Sequence, residues 1–114
     1  MENLQERALM ASEMFLIRCG YEIVETGWSD GDSDIAIVAR DGDTYVMVNV
    51  VARNANAKCF PDIVENRASR EVAAAAWLAT HDTEVNVAVR FDTVALLVLN
   101  ESRAMIRHHV NCLL

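Results

Sequence analysis

One proline and four glycines in 114 residues leave no material for a linker, a collagen-like repeat or a low-complexity segment. The chain therefore reads as a single domain spanning residues 1–114, with no room for a second core. Its three cysteines, Cys19, Cys59 and Cys112, fall in no C-x-x-C pair, which argues against both a disulfide framework and a zinc knuckle. There is no glycine-rich phosphate loop. His81, His108 and His109 lack the spacing of a helical zinc-ligand pair, and Ser12, Ser29, Ser33, Ser69 and Ser102 sit in no nucleophile-elbow pattern. The opening MENLQER is charged, and no apolar run is long enough to cross a bilayer. The compartment this implies is the cytoplasm, with no membrane contact.

Positive charge is also scarce: 10 basic side chains face 17 acidic ones, for a formal net charge of −7. A protein gains affinity for a polyphosphate by exchanging counterions for Lys and Arg contacts, so this balance disfavours generic nucleic-acid binding at long range.

What the chain has instead is apolar material, 53% of its residues, arranged with clear periodicity. Leu4, Ala8, Ala11, Phe15 and Cys19, with Leu16 alongside, recur at helical spacing, and Gly20 is placed to end that helix. A short strand is expected over 21–25, then strands over 34–40 and 44–52 joined by the hairpin signal Asp41-Gly42-Asp43. The near-continuous apolarity of these strands predicts a sheet covered on both faces. Residues 53–60 read as a loop, and Pro61 as the first-turn residue of a helix running from Ile63 to Thr80. In that helix Val64, Val72, Ala75, Ala76 and Ala79 are available for packing and Arg67, Arg70 and Glu71 for solvent. Residues 85–99 suit one long strand or two short ones, with a last strand over 105–110. Trp28 and Trp77 read as core anchors. The order α-β-β-β-α-β-β describes an α/β layered domain with a mixed sheet flanked by helices.

The densest acidic run, Asp30, Asp32 and Asp34, alternates like a calcium loop but lacks its glycine and its closing glutamate, so it reads as a solvated turn entering a strand.

Several segments together resemble the YraN family, small bacterial proteins related to Holliday-junction resolvases. They are Gly20-Tyr21-Glu22-Ile23-Val24 with Trp28, SDIAIVARDGDTYVMVNVVAR over 33–53, AAAAWL over 73–78, Arg90-Phe91-Asp92-Thr93-Val94-Ala95-Leu96, and Asn111 near the end. The resemblance implies a restriction-endonuclease-like PD-(D/E)XK core and, in active members, Mg²⁺ held by carboxylates two residues apart on one strand and by a Glu two residues before a Lys on the next. In this register those positions are Asp34, Ala36, Asn49 and Val51: one acid kept, one deleted, one neutralised, and the lysine lost. The glycine-glutamate of the family's first helix falls on Ala8 and Leu9.

The resemblance thus implies a degenerate site, with no metal and no cofactor expected and no catalytic residue to assign. The expected role is a non-catalytic module that binds an unknown protein partner or itself, for example as a homodimer. Two alternatives stand beside it. One is a vestigial binder of branched or single-stranded DNA, using Arg53, Lys58, Arg67 and Arg70. The other is a rearranged metal-dependent endonuclease built from Asp32, Asp34 or Asp92.

Overall fold

The computed structural model describes residues 3–63, 66–81 and 86–113. Its elements are α1 (Leu4–Arg18), β1 (Glu22–Asp30), β2 (Ser33–Asp41), β3 (Thr44–Asn54), a 3₁₀ turn (Ala55–Ala57), α2 (Arg67–Thr80), β4 (Ala88–Val98) and β5 (Ala104–His109). The strands form one mixed sheet in the order β1-β2-β3-β4-β5, antiparallel throughout except for the parallel pair β3–β4. That parallel pair needs a crossover, and α2 supplies it.

Each helix end follows from local chemistry. The Asn3 side chain accepts the Glu6 N–H at 2.8 Å and so starts α1. The helix closes at Gly20 (φ +92°), whose N–H donates to the Ile17 carbonyl while the Tyr21 N–H donates to that of Leu16. This is the paired bonding of a Schellman stop, and it requires the left-handed conformation that glycine adopts at no steric cost.

The sheet is covered on both faces, as the apolar strands predict. On one face Ala8 and Leu16 of α1 pack against Ile37, Ala39, Val46, Val48, Val94 and Leu96. On the other, Ala73, Ala74 and Trp77 of α2 pack against Ile35, Val38 and Met47. Each large side chain removed from water here contributes about 1.5–3 kcal/mol.

Several boundaries differ from expectation. β1 runs on to Asp30 rather than stopping at Glu25, because Asp30 pairs with Ser33 across the Gly31-Asp32 turn and extends a hairpin. Pro61 does not open α2. The helix starts at Arg67, where the Asn66 side chain accepts the Ser69 N–H at 3.0 Å and fixes the cap. Its inward face is Ala73, Ala74 and Trp77, while Val72 is 61% exposed and Ala75 and Ala79 are also exposed. Small residues let the helix approach the sheet closely, and the indole fills the remaining space. Val64, expected to pack, lies outside the described residues. Over the described part of 85–99 there is a single strand, β4, and β5 is Ala104–His109. Cys19 is exposed. No described helix is long and apolar enough to cross a membrane.

Candidate binding cleft

β2 and β3 pair only from Ile37 opposite Val48 to Asp41 opposite Thr44. Beyond Val48, β3 continues through Asn54 paired with β4 alone, while β2 stays with β1. Where the two strands part, a cleft of about 470 Å³ opens. Asp34, Ile35 and Ala36 line it from β2, Val48, Asn49 and Val50 from β3, and Gly27, Trp28 and Ser29 from β1. Gln5 in the first turn of α1, together with Asn66, Ser69 and Arg70 at the start of α2, completes the wall.

Three of the four residues singled out by the YraN resemblance, Asp34, Ala36 and Asn49, therefore meet in one cleft. Val51 is not part of its lining. Asp34 is exposed and is the cleft's one carboxylate among the described residues. Ala36 packs against the core beneath α1. Asn49 turns its Oδ1 back to accept the N–H of Val50 at 3.0 Å. A divalent ion of the Mg²⁺ class needs several oxygen ligands carrying compensating negative charge. One carboxylate among amides and two serine hydroxyls does not fit that requirement.

The four basic candidates are dispersed. Only Arg70 reaches the cleft, and it is not the solvent-facing residue that helix periodicity suggested. Its guanidinium folds under α2 and donates to the carbonyl oxygens of Met47 (2.9 Å) and Asp92 (2.8 Å) and to Thr93 Oγ1 (3.3 Å), over the Phe91 ring. A long side chain can span the gap between helix and sheet that alanines leave open. Arg67 donates to the carbonyl of Leu113, Arg53 lies 3.4 Å from Cys59 Sγ, and Lys58 is exposed after the 3₁₀ turn with φ +64°.

The three aspartates considered for a rearranged metal centre do not assemble either. Asp32 sits in the β1–β2 turn, outside the cleft lining, and no group of three or more potential metal ligands occurs among the described residues. Asp92 is fully buried on β4 and is occupied there. It accepts from Arg90 Nε at 3.0 Å, from His108 Nε2 at 2.8 Å and from the Asn111 N–H at 2.9 Å. Arg90 also donates to Asp41 at 3.1 Å and to the Tyr21 hydroxyl at 2.5 Å.

Burial alone would raise the pKa of Asp92. The hydrogen bonds from His108, Arg90 and the Asn111 amide outweigh it and hold the carboxyl down at about 2. Arg90 is pushed above its ordinary value, chiefly by its hydrogen bond to Asp92. The Tyr21 phenol is raised by burial first and then by the nearby Asp92 charge. The group joins the end of α1, the β2–β3 turn, β4, β5 and the C-terminal turn, and its role is to hold them in place. The pairing with Arg90 follows from two-residue strand spacing. Contacts to Tyr21, His108 and Asn111 carry no such local signal.

Across the sheet, a second polar tie escaped the sequence. Glu25 on β1 accepts from Trp77 Nε1 at 3.0 Å and lies 2.9 Å from Nε2 of His81, whose ring stacks on Trp77. This anchors the far end of α2 to the strand that forms one wall of the cleft.

The sequence itself has relatives among known proteins. The profile of the Uncharacterised protein family UPF0102 matches residues 10–96. A UPF0102 protein of Beutenbergia cavernae is 38% identical over 92 residues, covering 78% of this chain and 77% of the relative. A UPF0102 protein of Chloroflexus aurantiacus is 35% identical over 95 residues, with 82% and 78% covered. One from Geobacter sulfurreducens is 33% identical over 100 residues, with 85% and 77% covered.

Proposed function

The chain belongs to the uncharacterised protein family UPF0102, and from that premise we propose that it is a catalytically silent domain on a restriction-endonuclease-like PD-(D/E)XK scaffold, acting as a binding module. One observation carries the reading: the positions where such a nuclease would gather its metal ligands converge at the parting of β2 and β3, yet supply a single carboxylate, Asp34, beside Ala36 and the neutral Asn49. Removing one well-placed electrostatic group from an active site costs about 3 kcal/mol of transition-state stabilisation, roughly a hundredfold in rate. Here an aspartate, a glutamate and a lysine would all be missing. The cleft itself has not collapsed, so the scaffold keeps a concave surface after losing the means to cut.

Contact with branched or single-stranded DNA draws less support. Of Arg53, Lys58, Arg67 and Arg70, only Arg70 lines the cleft, and its guanidinium is engaged with backbone carbonyls. The net charge of −7 opposes a polyanion as well.

The test is an assay of the purified protein with Mg²⁺ or Mn²⁺ on branched and single-stranded DNA. The expected result is no cleavage, together with no salt-sensitive binding at low ionic strength. Metal-dependent cleavage that disappears in Asp34→Ala would overturn the reading. As a positive control, the double replacement Ala36→Asp and Asn49→Glu, both in the cleft lining, is expected to create Mn²⁺ binding measurable by calorimetry.

A further inference from the structure

Past Val48 the parting of β2 and β3 leaves Asn49 and Val50 lining the cleft with no β2 residue opposite them. Among the described residues, β3 from Asn49 onward pairs with β4 alone. Strand edges of this kind present a row of N–H and C=O groups that another chain can pair with. Val50 lies two residues beyond Val48, the last β3 residue opposite β2, and its N–H donates to the Asn49 side chain. Because successive amides of a strand alternate in direction, the N–H of Ala52 points the same way as that of Val50. Across the cleft, β2 contributes Asp34, Ile35 and Ala36, of which Asp34 and Ile35 pair with Ser29 and Trp28 of β1 and none pairs with β3.

We propose that the cleft receives an extended polypeptide segment, which pairs its backbone with the free edge of β3 beyond Val48 and directs a Lys or Arg side chain to Asp34. The inference rests on the binding-module reading and gives that module a partner class. Size, edge and charge agree. A cleft of about 470 Å³ holds a few extended residues but not a folded domain. The unpaired backbone supplies sequence-independent affinity, and side-chain pockets along the edge supply selectivity. Asp34 is the sole carboxylate of the lining among the described residues, and the Arg70 guanidinium is turned to the carbonyls of Met47 and Asp92. A basic segment is therefore matched and an acidic one is not. The Asn49 side chain acts as a stand-in for the ligand strand and yields the Val50 N–H when the ligand arrives.

The probe is a fluorescein-labelled peptide of alternating Thr, Val and Lys, titrated into the full chain and followed by polarisation and by amide hydrogen exchange. Binding is expected to slow exchange at Val50 and Ala52 specifically. Methylating alternate backbone nitrogens of the peptide deletes its pairing hydrogen bonds and is expected to weaken binding at least about tenfold. The Asp34→Lys variant, an exposed change checked for folding by circular dichroism, is expected to reverse the preference between this peptide and its Glu-substituted counterpart. The proposal is overturned by absence of binding at millimolar peptide, by equal affinity of the methylated peptide, or by protection that appears elsewhere, such as at the outer edges of β1 or β5. None of these outcomes touches the question of cutting, which the nuclease assay decides separately.

Discussion

Replacing Asp92 with Asn is the most searching test of how this fold is held. Asn preserves the shape and one acceptor for the Asn111 N–H, but it deletes the negative charge that Arg90 and His108 converge on. Removing one partner of a buried ion pair costs about 3–5 kcal/mol, because the other charge is left without compensation. Arg90 and His108 keep 19% and 12% of their side-chain surface, so water recovers part of that loss, and about 3 kcal/mol is expected at neutral pH.

The pH dependence gives an independent check. Lowering a carboxyl from its ordinary 3.8 to about 2 is worth at most ~2.5 kcal/mol, and roughly 1–2 kcal/mol after allowance for solvent screening. Since the folded pKa is depressed, this stability is fully present above about pH 4 and is lost as pH falls towards 2. Urea unfolding of the parent and of Asp92→Asn at pH 7, 4 and 2 measures both quantities. The variant is expected to start lower and to lose less between pH 4 and 2. A loss under 1 kcal/mol at pH 7, or an unchanged acid limb, would refute the assignment of Asp92 as the charged centre of the network.

Three further outcomes are expected. In a spectrophotometric titration the Tyr21 phenol should deprotonate above its ordinary pKa of 10, since burial and then Asp92 disfavour its anion, and Asp92→Asn should bring it down. Trp77→Ala should cost about 3–5 kcal/mol in denaturant unfolding, as the indole is 1% exposed and its N–H holds Glu25. Gly20→Ala should cost about 1–2 kcal/mol, although nothing lies within 4 Å of the added carbon, because the penalty arises from φ +92° alone. Thermal denaturation reports that loss, and an unchanged midpoint would mean that the chain leaves α1 by another route.

The elements readable from sequence were those whose signal is local. Leu4, Ala8 and Leu16 mark a helical stripe, Gly20 marks its end, and Gly42 with Asp43 marks a two-residue hairpin turn between Asp41 and Thr44. The start of α2 is not legible in the sequence, because Pro61 and Asn66 both suit a helix entry and only the cap bond from Ser69 to Asn66 decides between them. Arg70 departs from its expected face for a related reason. Periodicity assigns a face to an alpha carbon but not to the end of a side chain long enough to reach Met47 and Asp92 beneath the helix.

The cleft divides along the same line. The residues the YraN resemblance singles out, Asp34, Ala36 and Asn49, are fixed by sequence, and so is their poverty in negative charge. That they share one cleft while Val51 stays outside its lining depends on where β2 leaves β3, which strand pairing across the whole sheet decides. Sequence by itself determined the composition of the site, because residue type sets donor chemistry. Tertiary structure decided its openness and the free edge of β3, because both arise from hydrogen bonds that were not formed between strands, and no local pattern records a partner's absence.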